Sequence, residues 1–219
     1  MRAIDCAGKQ SPCAAALSEE LVDDFEDGDA RPVHPRFEAW PVYADAASTI
    51  SPAPFATAAH GANGSGRAIH VSGTVADKGY LSVAAMAAGG STDLSAYAGI
   101  AFSARGVGLV RDNVGTTDID VAGNYDDCGR SIFLTPTWRR YVIRFDDPDF
   151  AQGNWGIRTA FAPSKVGRLV FANVQYGPLD FWVDDVVLLE PAAKPWLPSR
   201  SWKKGPLGAV SGVSSAHRG

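Results

Sequence analysis

Carboxylates stand at both ends of the patterned part of this chain, each time among residues that favour strands. Near the start runs Leu21-Val22-Asp23-Asp24-Phe25-Glu26-Asp27-Gly28. Near the end runs Asp180-Phe181-Trp182-Val183-Asp184-Asp185-Val186-Val187-Leu188. A carboxylate set into a half-buried strand is costly unless a partner meets it. If the first and last strands are neighbours, the two acidic runs converge and a bound cation answers their charge. Calcium suits such a set, because it takes about six to eight oxygens and accepts carboxylate and backbone carbonyl together. The alternative is that Asp23, Asp24 and Asp185 are solvated charges that keep a sheet edge from pairing with another chain.

Other acids could do bond-breaking chemistry. A glycosidase of the all-β kind needs two carboxyl groups flanking the scissile bond. Thr117-Asp118-Ile119-Asp120-Val121-Ala122 begins an alternating acidic pattern, then places Ala122 where a further acid would fall. No Ser/His/Asp order stands out. The histidines at 34, 60, 70 and 217 are scattered, and His70 lies in a strand, where a structural role is expected. Catalysis is not expected; a glycosidase or polysaccharide lyase is the enzyme-class alternative.

The elements that must position these groups are strands. Arg67–Ser72, Gly99–Arg105, Arg139–Phe145 and Arg168–Ala172 each alternate, are rich in β-branched or aromatic residues, and are bounded by Gly, Pro, Asp or Asn. The loop before the first of them, Gly61-Ala62-Asn63-Gly64-Ser65-Gly66, places Gly64 and Gly66 where positive φ or close backbone approach is needed. No stretch carries a helical apolar repeat; Leu94–Ala98 predicts at most one turn, capped by Asp93. The expectation is an all-β, two-sheet sandwich of nine or ten strands.

In a chain of 219 residues, 46% hydrophobic content supports a core, and 23 glycines and 14 prolines suit dense turns. One domain is expected over 19–190, between a flexible segment 1–18 and a disordered tail 191–219. The net charge of -4 and the lack of a Lys/Arg run argue against nucleic acid. No apolar run approaches the roughly 18 residues of a membrane span. The first residues as written lack the pattern of an export signal. Cys6 and Cys13 could pair and leave Cys128 alone, or all three could be free thiols.

Leu21 to Glu26, then Trp40 with Tyr43, then Asp93-Leu94-Ser95-Ala96-Tyr97-Ala98-Gly99-Ile100-Ala101-Phe102, resembles the family 11 carbohydrate-binding modules. Thr135-Pro136-Thr137-Trp138-Arg139-Arg140-Tyr141 and the closing Val166 to Leu188 continue the resemblance, which covers most of residues 21–189. It implies a galactose-binding-like jelly roll. It also implies a structural calcium held by Glu26 or Asp24, by backbone carbonyl near Arg67, and by Asp184. The implied function is binding of a β-glucan-like polysaccharide or oligosaccharide on a concave face, with Tyr43 and Tyr80 at two aromatic positions of the family. At a third, Asn173 stands where the family has an aromatic.

Sugars present C–H faces and hydroxyl edges, so their sites combine aromatic plates with Asp, Asn, Gln and Arg. Tyr125, Asp126, Asp127 and Arg130 in one loop, and Gln152 and Trp155 in another, have these types. Trp155 is either a platform or a loop anchor. Arg111 either offers bidentate donors to a ligand or pairs internally with Asp118, Asp120 or Asp127. Tyr97 and Trp138 read as core. The ligand set expected is therefore Tyr43, Tyr80, Arg111, Tyr125, Asp127 and Trp155, on a non-catalytic, monomeric, extracellular or cell-surface protein. A jelly roll of similar shape serves assembly in the complex I intermediate-associated proteins, so protein contact is the further alternative.

Overall fold

The computed structural model describes residues 18–51, 57–120 and 124–191. Cys6, Cys13 and the expected tails, except Ser18 and Pro191, lie outside them. The described chain is an all-β sandwich of two antiparallel sheets. Its strands are β1 (Glu19–Asp23), β2 (Phe37–Ala39), β3 (Val42–Ala44), β4 (Thr49–Ser51), β5 (Thr57–Ala59), β6 (Arg67–Val75), β7 (Leu81–Ala87), β8 (Gly99–Val107), β9 (Leu109–Thr116), β10 (Cys128–Phe133), β11 (Arg139–Arg144), β12 (Val166–Asn173) and β13 (Gly177–Leu189).

The seven-stranded sheet runs β11-β8-β13-β6-β4, with β1 beside β13 and β5 beside β6; the six-stranded sheet runs β10-β9-β12-β7-β2, with β3 beside β7. Strand number exceeds the nine or ten expected because long strands are each paired along one side by two short ones. Strand β7 meets β2 at Ala87 and β3 at Val83, and β6 meets β4 at Gly73 and β5 at Ala68. Three-residue strands show no alternation to read. Residues 94–98 form a turn in which Ser95 N–H donates to Asp93 and Tyr97 N–H to the Leu94 carbonyl.

First and last strands are neighbours: β1 lies antiparallel to the second half of β13, pairing Glu19 with Leu189 and Asp23 with Val186. Between the sheets lie Phe25, Trp40, Phe102, Phe171 and Phe181, all fully buried. Trp40 stacks on Phe171 at 6.3 Å between centroids, and Phe102 meets Phe171 edge-on at 4.8 Å. Each such ring contributes about 1.5–3 kcal/mol by leaving water, so this layer fixes both sheets. Trp138, expected in the core, is half-buried under Arg105, whose guanidinium lies 5.2 Å from its ring. No helix among the described residues is long and apolar enough to cross a membrane.

Candidate functional site

Two places gather functional side chains: the sheet edge where β1 meets β13, and the outer face of the six-stranded sheet.

At the edge, β13 shifts register between Asp184 and Val187, and Asp185 has φ 49°. The loop from Gly61 to Arg67 closes over this irregularity. Asp184 is fully buried and accepts from Ala62 N–H at 2.6 Å, Ser65 Oγ at 2.8 Å and Asp185 N–H at 2.7 Å. Burial pushes its carboxyl up to about 6. Ser65 Oγ also lies 2.8 Å from the Arg67 carbonyl. A hydroxyl has one proton, yet Ser65 stands at bonding distance from two oxygens that only accept when Asp184 is ionised. A protonated Asp184 or a cation among these oxygens resolves the conflict. Glu26 reaches the same loop, accepting from Arg67 N–H at 2.9 Å. Asp24 accepts from Glu26 N–H at 3.3 Å. Glu26, Ser65, the Arg67 carbonyl and Asp184 thus form an oxygen-only set of the type a hard cation takes. Among the described residues no three His, Cys, Asp or Glu side chains converge on one point, so carbonyl and hydroxyl oxygens would have to contribute. Gly61 is required here, because a Cβ would fall 2.0 Å from the Arg67 carbonyl.

The buried acid of β1 is Asp23. It accepts from Trp40 Nε1 at 2.6 Å and Phe25 N–H at 2.9 Å, and burial pushes it up to about 6. It ties the edge to the core ring Trp40. Strand alternation puts Asp23 on the side of Phe25, but nothing local in the sequence names Trp40 as its donor.

On the six-stranded sheet one register row crosses five strands: Tyr43, Ser82, Ala172, Arg111 and Ser131. The next row holds Ala84, Val170, Asn113 and Gly129. This floor is closed: Ser82, Ala84, Val170 and Asn113 are each at most 8% exposed. The open surfaces stand around it, with Tyr43 43%, Tyr80 51%, Tyr125 54% and Trp155 53% exposed. Exposed rings that are also held in place are what a flat ligand needs. The main chain at Tyr80 is fixed by Asp45, which accepts its N–H at 2.7 Å.

Trp155 is exposed, and the loop that carries it is anchored. Asp126, fully buried, accepts N–H bonds from Gly153 at 2.6 Å, Trp155 at 3.1 Å and Gly156 at 3.0 Å. Gln152 adds bonds to the Asp126 and Ile157 carbonyls. The ring lies directly against Gly153, where a Cβ would fall 1.7 Å from it. Arg111 rises from the sheet 5.8 Å from the ring centroid and donates to the Ala151 carbonyl. Its expected internal ion pairs are not made: Asp118 bonds Lys165, while Asp120 and Asp127 bond Arg168.

That pairing corrects the role expected of Asp127. It is 4% exposed, with both oxygens on Arg168 at 2.9 Å, so hydroxyl binding would require breaking an ion pair. Burial pushes its carboxyl up to about 6 against the pull of Arg168. Arg168, which the sequence did not single out, in turn supports Tyr125, whose ring is 5.3 Å from its guanidinium. Arg130 pairs with Asp147 at 3.1 Å. Asn173, in place of a family aromatic, accepts Leu81 N–H at 2.8 Å and so closes the sheet where β7 begins.

No protein-family model and no curated protein matches this chain. Solved structures do match in fold. The family 11 carbohydrate-binding module of a cellulosomal cellulase from Clostridium thermocellum is 19% identical, with TM-score 0.60, over 82% of this chain and 99% of that one. The module from that organism in complex with a β-1,3-1,4-mixed-linked tetrasaccharide is 20% identical, with TM-score 0.59, over 82% and 99%. A family 30 carbohydrate-binding module is 16% identical, with TM-score 0.55, over 84% and 94%. The chain therefore has the sandwich fold of carbohydrate-binding modules.

Proposed function

We propose that this protein is a non-catalytic carbohydrate-binding module that holds a β-glucan-like polysaccharide across the outer face of the six-stranded sheet. The observation that carries the reading is the set of half-exposed aromatic rings, Tyr43 and Tyr80 toward one side and Tyr125 and Trp155, each beside a guanidinium, toward the other. Strands β3 and β9 are separated by β7 and β12, so the rim spans about 14 Å at the usual strand spacing. That suits several sugar rings in a row. A solved module of the same fold is in complex with a mixed-linked tetrasaccharide. Hydrolysis is disfavoured, since Asp120 and Asp127 both spend oxygens on Arg168.

The test is calorimetric titration with soluble β-glucans and xylans. Tyr43→Ala and Trp155→Ala should each weaken binding by about 1 kcal/mol, the low end for an aromatic stack on a ligand ring, with unfolding midpoints unchanged. The reading fails if no glycan binds at millimolar concentration. Protein contact would then lead, and it has its own support. Val107, Phe133, Val174 and Tyr176 are all exposed, at or beside the ends of β8, β10 and β12 and the start of β13, and exposed apolar side chains mark partner surfaces where they are contiguous.

The same proposal includes a structural calcium held by Glu26, the Arg67 carbonyl and Asp184, with Ser65 beside them and Asp24 next to Glu26. The support is the oxygen-only set and the doubly claimed Ser65 hydroxyl. A polysaccharide partner also implies an extracellular or cell-surface setting, testable by fractionating producing cells; recovery in the cytoplasm alone would count against it.

A further inference from the structure

We infer that the Trp155 end of this face is built to prefer an acidic sugar, a pyranose bearing a carboxylate, over a neutral one. The inference rests on the carbohydrate-binding reading and assigns the ligand's charge.

Arg111 is half-buried beside Trp155, and burial works against its charge. A guanidinium remains charged in proteins and costs energy to bury without a counter-charge. Among the described residues, every carboxylate near it makes its hydrogen bonds elsewhere, and the pull of Asp126 through space is outweighed by burial. Asp126 gives both oxygens to the N–H groups of Gly153, Trp155 and Gly156. Asp127 and Asp120 are on Arg168. Asp112, next along β9, lies fully buried on the opposite side of the strand, and burial holds its carboxyl well above the usual range. Arg111 is left with the Ala151 carbonyl and the face of Trp155.

A second guanidinium stands at the same turn. Arg158 is exposed, and its Nη2 bonds Asn154 Oδ1 at 3.0 Å, the residue next to Trp155. Trp155 is thus a fixed, half-open plate with the Arg111 guanidinium 5.8 Å from its ring centroid and Arg158 on the neighbouring Asn154, and among the described residues neither arginine forms an ion pair with an acid. A sugar lying on the ring by its C–H face brings its ring substituents to the plate's edges. A carboxylate there accepts two parallel N–H bonds from a guanidinium fork, which a hydroxyl cannot match. Tyr43 lies on the register row of Arg111 but three strands away from it, so a polymer with acidic residues at intervals would fit the whole rim.

The experiment titrates the full chain with a glucuronate-containing oligosaccharide, with the same oligosaccharide after reduction of its carboxyl groups to alcohols, and with a mixed-linked β-glucan oligosaccharide. The acidic form is expected to bind about tenfold more tightly than its reduced form, the ratio one charge-assisted bond supports. That preference should shrink with added salt and be lost in Arg111→Gln. Arg158→Gln, at an exposed position, serves if the first variant does not fold, and should lower the preference at an unchanged unfolding midpoint. Equal binding of acidic and reduced forms overturns the inference while leaving the carbohydrate reading intact. Binding of none of the three overturns both.

Discussion

A single missing side-chain atom decides where Trp155 stands. The φ of Gly153 lies outside the left-handed region, so an alanine there is not barred by the main chain. Its Cβ, however, would meet the Trp155 ring at 1.7 Å, with further ring atoms at 2.2 and 2.5 Å. Asp126 fixes the neighbouring amides and denies the loop an easy retreat, so the indole must swing off. Gly153→Ala is therefore expected to lose roughly the binding that Trp155→Ala loses, about 1 kcal/mol, while the unfolding midpoint stays close to that of the parent. Titration calorimetry beside a melting curve checks this; full affinity in the alanine variant would mean that the ring's position is irrelevant to binding. The sequence marked Trp155 as a candidate by type. It was silent on Asp126 as the organiser and on Arg168 as the support of Tyr125, because both act across 27 to 43 residues and leave no local pattern.

At the scale of elements, what the sequence revealed depended on strand length. The alternating runs beginning at Arg67, Gly99, Arg139 and Arg168 all fall on strands, with only Phe145 past the end of its strand, since period-two alternation of residue type can be read in a sequence over five or more residues. The convergence of the acidic runs followed from one assumption, that the end strands are neighbours, and β1 does pair with β13. Invisible beforehand was a row on the outer face of the seven-stranded sheet. His70 stacks on Trp182 at 4.0 Å, Arg105 covers Trp182 at 4.4 Å, and Trp138 lies beneath Arg105. Four segments supply it, which is why Trp138 reads locally as core. The edge near Asp184 is likewise assembled from β1, β13 and the 61–67 loop, so a cation there would staple three elements. If calcium binds, a chelator should lower the unfolding midpoint, and calcium at about 100-fold over its dissociation constant should restore roughly 2.7 kcal/mol. Asp184→Asn should abolish the response to calcium. Superimposable melting curves with chelator and with calcium would remove the metal from the account.

For the molecule as a whole, the least expected feature is an acid between the sheets. Asp112 lies on the core side of β9 between Val110 and Val114, fully buried, and among the described residues neither of its oxygens has a hydrogen-bond partner. The groups around it offer little relief. Arg111 on the same strand pulls its carboxyl down, but less than burial pushes it up. Arg130, its partner across β10, is committed to Asp147. The folded chain therefore keeps a proton on Asp112 well above pH 3.8, the ordinary value, whereas the unfolded chain releases it near that pH. Above pH 3.8 the native state thus binds more protons than the unfolded state, and this residue's contribution to stability falls as pH rises until its folded carboxyl ionises. Asp112→Asn removes the titration at nearly constant shape. Denaturant midpoints measured from pH 5 to pH 8 should decline in the parent, and the decline should be shallower in Asp112→Asn, with the two proteins furthest apart at the alkaline end. Parallel pH profiles would show that Asp112 is ionised in the folded protein, and that some group not seen here meets its charge.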